Sequence, residues 1–199
     1  MSGRARPSGR RPGDSGTREL IAAAARRQFA EQGYDRTSLR SVALEAGVDP
    51  ALVSHFYGSK QRLFAAVIEL PFEPAEVLPA LIAGDRARIG ERVARFMVGL
   101  LESEEARRRM TGLVRSAASE PEAARLVRDL ISHRMLAPLA ESLGVDQAPL
   151  RASLVGAQMV GLVMARYVVG VEPLASAPPE QIAAIVAPNL QRLLTEPLG

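Results

Sequence analysis

The punctuation between positions 33 and 71 constrains this chain more than any other feature. Gly33, Gly47 and Gly58 each follow a run of helically spaced apolar residues, Asp49-Pro50 and Ser59 each precede one, and Pro71 closes the last. Signals of this kind divide the segment into short helices joined by tight turns. Ile21, Ala24, Ala25 and Phe29 recur at three- and four-residue spacing, which predicts a helix over 18–32 with Asp14 or Ser15 as its N-cap. With Gly33 at the C′ position, Tyr34 becomes C″ and Phe29 becomes C3, the two residues that pack together in a Schellman stop.

A second helix begins at Thr37 or Ser38, turns Leu39, Val42, Ala43 and Ala46 inward, and ends at Gly47. The turn is Gly47-Val48-Asp49, and Asp49-Pro50 restarts the chain as a short third helix over 50–57, since proline's fixed φ suits a first helical position. Ser59 then caps a fourth helix carrying Leu63, Phe64, Val67 and Ile68. Two short helices joined by a glycine-containing turn have the sequence shape of a helix-turn-helix, whose second helix lies in the DNA major groove.

Periodicity turns Val53 and Tyr57 inward, which leaves Pro50, Ala51, Ser54 and His55 facing out, with Leu52 and Phe56 at the margins. Small apolar groups there suit thymine methyls, while Ser54 and His55 offer hydrogen bonds; no Arg or Asn stands on this helix to grip a guanine or adenine bidentately. Readout then leans on shape, on the N-terminal arm, or on Arg40. Thr37, Ser38, Arg40, Ser59 and Lys60 flank the turn as phosphate contacts. Thr37 and Ser59 read equally well as plain helix caps, and Lys60 and His55 as solvated side chains. Lys60 sits in the first turn of its helix, where a cation opposes the macrodipole and an external anion would relieve the conflict.

Charge is distributed in the same sense. Residues 1–64 hold 11 Arg or Lys against 6 Asp or Glu, and the remainder holds 14 against 16. A basic front on a slightly acidic body suits a polyanion, although an arginine-rich solvated surface gives the same count. Residues 1–16, with Arg4, Arg6, Arg10 and Arg11, read as a flexible basic arm with no secretory h-region, either a tail or a reach into the minor groove.

The 199 residues allow one ordinary domain or two small ones, and 47% hydrophobic residues allow a sizeable core. With no cysteine, disulfides, thiolate zinc sites and cysteine nucleophiles are excluded, and the cytoplasm is the default compartment. Beyond residue 72 the helical pattern continues. One stripe holds Ile89, Val93, Phe96, Met97, Leu100 and Leu101, and a second holds Met110, Leu113, Val114 and Ala117. A third runs from Leu126 through Leu130 and His133 to Leu139, broken or kinked near Pro138, and the last two helices cover 148–169 and 180–194. Residues 154–171 are apolar but short for a membrane span and interrupted by Gln158 and Arg166, so a buried or dimer-forming helix accounts for them better.

Phe96, Met97, Met110 and Met159 suit either ordinary core or a pocket for an apolar ligand, with His133, Arg115 and Gln158 as polar anchors. His133, on the Leu126 and Leu130 face, reads as a core histidine or as an anchor in a cavity. Gly156 and Gly161 allow close helix approach, and with Ile182, Ile185, Val186, Leu190, Leu193 and Leu194 they make a two-fold interface plausible.

Residues 37–64, TSLRSVALEAGVDPALVSHFYGSKQRLF, resemble the DNA-binding signature of the TetR family of transcriptional regulators. The likeness lies in the Thr-Ser start, the Ala-Gly-Val turn, the aromatic-rich recognition helix, then Ser-Lys and Leu-Phe, and with the first helix it covers about residues 17–68. It implies an all-α fold: a three-helix helix-turn-helix domain over 17–68, then a larger helical regulatory and dimerisation domain over 72–199. It further implies a homodimer through the last two helices, a double-stranded, pseudo-palindromic operator as partner, a small effector in the body, and repression. Ser54 stands where the family often has a tyrosine, so His55 or Phe56 would take over any contact of that residue.

Catalysis is disfavoured. The two histidines are 78 positions apart, no zincin, nucleophile-elbow, Walker or dinucleotide motif is present, and no cofactor or metal is expected. Glu102, Glu104 and Glu105 precede Arg107, Arg108 and Arg109 at ion-pair spacing. The competing reading is a helical ligand-binding or protein-interaction module that ignores duplex DNA, which a salt titration separates from the first.

Overall fold

The computed structural model describes residues 12–198, and the arginines expected to form the basic arm, Arg4, Arg6, Arg10 and Arg11, lie outside them. The described residues form eleven α-helices with no strand. The head comprises α1 (Pro12–Arg36), α2 (Leu39–Ala46), α3 (Pro50–Tyr57) and α4 (Lys60–Val67). The body comprises α5 (Pro74–Ile82), α6 (Ile89–Glu102), α7 (Glu104–Ser119), α8 (Pro121–Ile131), α9 (Ala137–Leu143), α10 (Ala148–Val163) and α11 (Pro179–Thr195).

The first helix starts earlier than expected. Asp14 and Ser15 lie inside α1 rather than capping it, so the helix takes up the end of the expected arm. Gly33 breaks the helix at φ 79° and ψ 177°, a conformation open to glycine alone. Phe29 and Tyr34 stack as expected, with ring centroids 5.9 Å apart. The Schellman hydrogen bond is not what holds them, because the Tyr34 amide donates to the Ser116 hydroxyl of α7 at 2.9 Å.

Ile21, Ala24, Ala25, Val42, Val53 and Leu63 are wholly buried and join the head into one core, with Phe64 set edge-on to both Phe29 and Tyr34. Each buried Leu, Ile, Val or Phe contributes about 1.5–3 kcal/mol relative to leaving it in water. The body is built around α6, whose inward face of Ile89, Val93, Met97 and Leu101 lies along α11. The two helices approach closely at Gly90. Its amide donates to Gln191 Oε1 at 2.8 Å, and a Cβ there would sit 2.4 Å from the Gln191 backbone nitrogen. Head meets body at a similar crossing: a Cβ on Gly112 of α7 would sit 2.6 Å from Ala30 Cα of α1.

Two π-helical turns depart from sequence expectation. Ser132–Leu136 joins α8 to α9 without a break, and Met164–Val169 extends α10. The first lies just before Pro138, which has no amide to donate and would crowd a regular helix; its wide turn keeps the chain helical, with the Ala137 amide bonded to Ser132 O. The extra residue shifts the register by one position. Inward residues continue as Ile131, Met135, Leu136, Leu139, Ala140 and Leu143, and His133 turns out to solvent. α10 with its extension is apolar and 22 residues long, enough by length to cross a membrane; one face of it packs against α9, α11 and α7, and 22% of its apolar stretch is buried.

Candidate nucleic-acid interface

A polar clamp fixes α2 against α1. Ser38 caps α2 by accepting from the Ser41 amide at 3.0 Å, and the Ser41 hydroxyl accepts in return from the Ser38 amide. Ser41 Oγ also donates to Gln28 Oε1 of α1 at 2.7 Å, Gln28 Nε2 donates to Glu45 Oε2 at 2.7 Å, and Arg27 Nε donates to the other Glu45 oxygen. Gln28 is 5% exposed, so the two bonds it makes are partly withdrawn from water, where a satisfied network rigidifies what it joins. Neither Gln28 nor Glu45 was expected from the sequence. A polar residue beside the inward stripe of Ile21, Ala24, Ala25 and Phe29 is the signal that could have found the first.

The turn follows the sequence closely. Gly47 adopts the left-handed conformation at φ 66°, and the Val48 amide returns to Ala43 O at 3.0 Å. Asp49 Oδ1 then accepts from the Ala51 amide at 2.7 Å, with Pro50 at the first helical position. Val53 is wholly buried and Tyr57 nearly so, the Tyr57 hydroxyl donating to Arg18 O at 3.2 Å. Pro50, Ala51, Leu52, Ser54 and His55 are exposed, while Phe56 is half-buried and edge-on to the His55 ring. Arg40 and Leu44 present a second exposed row on α2.

The flanking residues divide. Ser38, Arg40 and the half-buried Ser59 remain at the surface, Ser59 capping α4 through the Arg62 amide at 3.2 Å. Thr37 does not: it is 2% exposed and its hydroxyl donates to Gly33 O at 2.9 Å, so α2 begins one residue later and its side chain is withdrawn from solvent. Lys60 is half-buried rather than free. Its ammonium lies 4.3 Å from the centre of the Tyr34 ring and donates to Asp35 O at 3.1 Å, which relieves part of the conflict with the α4 dipole from within. Desolvation pulls the Lys60 pKa down, against an opposing pull from Asp35 and Glu120.

Tyr34 therefore touches three elements. Its amide reaches Ser116 of α7, its ring carries Lys60 of α4, and its hydroxyl donates to Glu122 of α8 at 3.3 Å. Burial, then the Glu122 carboxylate, pushes its phenol up to about 12.

The residues proposed as ligand contacts do not converge. Met97, Met110 and Met159 are core residues, and Phe96 packs edge-on to Phe72. Gln158 accepts from Asn189 at 3.3 Å. Arg115 and His133 are exposed, His133 Nδ1 lying 2.8 Å from Asp129 O. None of the seven lines the open groove of about 600 Å³ between α5 and α9. Of the two glycines, Gly161 faces open space, whereas a Cβ on Gly156 would meet Leu136 of the same chain at 3.4 Å.

The family model for bacterial regulatory proteins of the tetR family matches residues 21–67, and that for the tetracyclin repressor-like C-terminal domain matches 87–194. Among solved structures, a TetR-family regulator from Streptomyces coelicolor A3 is 40% identical, with a TM-score of 0.57 over 94% of this chain and 99% of the other. A transcriptional regulator from Rhodococcus sp. Rha1 is 25% identical, with a TM-score of 0.66 over 91% and 98%. NalD, the secondary repressor of the MexAB-OprM multidrug efflux pump in Pseudomonas aeruginosa, shares the fold at 21% identity, with a TM-score of 0.67 over 92% and 98%. Among curated proteins, none matches the sequence. With the helix-turn-helix and the helical body both matched, the chain belongs to the TetR family of DNA-binding transcriptional regulators.

Proposed function

We propose that the protein is an effector-responsive repressor that binds a pseudo-palindromic operator as a homodimer. The observation that carries this reading is the exposed face of α3, Pro50, Ala51, Leu52, Ser54 and His55, held rigidly by Gly47, Asp49 and the Gln28 clamp. Base reading falls to those residues with Phe56, and phosphate positioning to Ser38, Arg40, Ser59 and Lys60, the last after it exchanges Asp35 O for a phosphate oxygen. The head corresponds to residues 17–68 and the effector and dimerisation unit to 72–199. Pairing through α10 and α11 is supported by their exposed apolar residues, Leu150, Val160 and Ile185, the last 69% exposed. Two recognition helices then stand about 34–36 Å apart, or a multiple of that, on successive major grooves.

Selection of duplexes from a random pool tests the reading. Two inverted half-sites should be enriched. Lys60→Ala should weaken binding to all duplexes alike, while His55→Ala or Ala51→Ser should change which bases are enriched. A pool that emerges unenriched, or variants that leave both affinity and base preference unchanged, would overturn it.

A further inference from the structure

The groove between α5 and α9 is walled by Pro74, Leu78, Pro79, Ile82 and Pro138, an apolar set, and one charge pair crosses it. Arg134 Nη2 donates to both carboxylate oxygens of Glu73, at 2.8 and 3.1 Å. Arg134 stands on the π-helical turn that precedes Pro138, and such turns recur at functional sites. Both side chains are about half exposed, so the pair contributes little to stability. Its placement at the edge of an apolar groove is what needs a reason.

We propose that this groove is an effector site for an amphipathic carboxylate, whose head replaces Glu73 on Arg134 and whose apolar tail lies along Leu78, Pro79 and Ile82. The inference rests on the effector-responsive reading above and names its site and ligand chemistry. Glu73 already shows that Arg134 Nη2 holds a carboxylate at this position, and a guanidinium holds such a group better still when two of its nitrogens donate in parallel, as an incoming head group could allow. A volume of about 600 Å³ is that of a small-molecule site. When Glu73 yields Arg134 it retains a second partner, the Ala75 amide at 3.5 Å, so displacement does not leave it unpaired. Glu73 also lies in the segment joining α4 of the head to α5 of the body, which puts ligand binding next to the stretch of chain that links the two.

The test uses the full chain with decanoate and, as an uncharged control, 1-decanol, both followed by calorimetry. The wild type should bind decanoate more tightly than decanol. Arg134→Gln should weaken decanoate at least tenfold and leave decanol unchanged, whereas Glu73→Gln, which removes the internal competitor, should tighten decanoate several-fold. Arg134→Lys, which keeps the charge without the fork, should fall between. No decanoate binding by the wild type, equal binding by Arg134→Gln, or weaker binding by Glu73→Gln would overturn the proposal, because a merely structural ion pair responds alike to loss of either partner. Operator affinity measured on the same variants without decanoate keeps the two readings apart. Intact DNA binding with no carboxylate site sinks this inference alone, and loss of DNA binding in the wild type sinks the function on which it rests.

Discussion

The Tyr34 amide donates to the Ser116 hydroxyl at 2.9 Å, across 82 positions of sequence, and fastens the end of α1 to α7. Ser116 is wholly buried. Ser116→Ala removes the acceptor and leaves a buried amide unpaired, which costs about 1–3 kcal/mol. A lower midpoint in urea denaturation at unchanged slope checks this, and an unchanged midpoint would mean that the bond contributes nothing.

The glycine at the same junction makes a sharper comparison. A methyl at Gly112 would press on the backbone of Ala30 and Phe29 at 2.6–2.8 Å, and that backbone cannot yield without moving α1. Gly112→Ala should destabilise by about 1–3 kcal/mol. Gly99, on the exposed side of α6, has nothing within 4 Å of the position a methyl would take, so Gly99→Ala should stabilise by about 0.5–1 kcal/mol. Thermal melts of the two variants should move in opposite directions.

Arg151 is 1% exposed and satisfies the end of α11 from α10. Nη1 donates to Leu193 O and Glu196 O, and Nε to Asp146 O, each at 2.7 Å, while Nη2 meets Asp146 Oδ1. Arg151→Met fills much of the space but orphans these carbonyls, at about 1–3 kcal/mol for each that stays buried. Because α10 and α11 are the proposed pairing surface, sedimentation should show dimer dissociation at lower dilution factors than the wild type requires.

Tyr34 ionises late. Its folded value of about 12 lies above the ordinary 10.0, so the folded state holds the phenolic proton more tightly than the unfolded chain does. The stability this gives is complete below pH 10 and is lost as pH rises towards 12. Tyr34→Phe should therefore flatten the fall in stability between pH 10 and 12, and absorbance titration should lose its highest-pH phenolate step. A Tyr34 step near 10 would contradict the half-buried Glu122 contact.

The helix-turn-helix was legible because its determinants are local. Gly47 needs a positive φ, Asp49 and Ser59 cap the helices that follow them, and alternation over a single turn places Val53 inward. What the sequence concealed depends on distant partners or on shifts of register. Thr37 and Ser38 both suit an N-cap, and only the bond from Thr37 to Gly33 O decides between them. His133 follows Leu126 and Leu130 at helical spacing, but the π turn before Pro138 adds a residue and rotates it out. Arg151 reads as one more surface arginine until its carbonyl partners, 42 and 45 positions away, are seen. The Arg134 and Glu73 pair, 61 positions apart, was likewise invisible to periodicity.

The central claim is that two copies of α3 enter duplex DNA, and a salt titration of operator binding tests it most directly. Fluorescence anisotropy with a selected duplex should give a log-log plot of affinity against salt that falls by about 0.9 for each phosphate neutralised, steep enough to require several contacts, with two chains bound per duplex. A flat plot, or a single chain bound with no preference for duplex over other polyanions, would contradict the account.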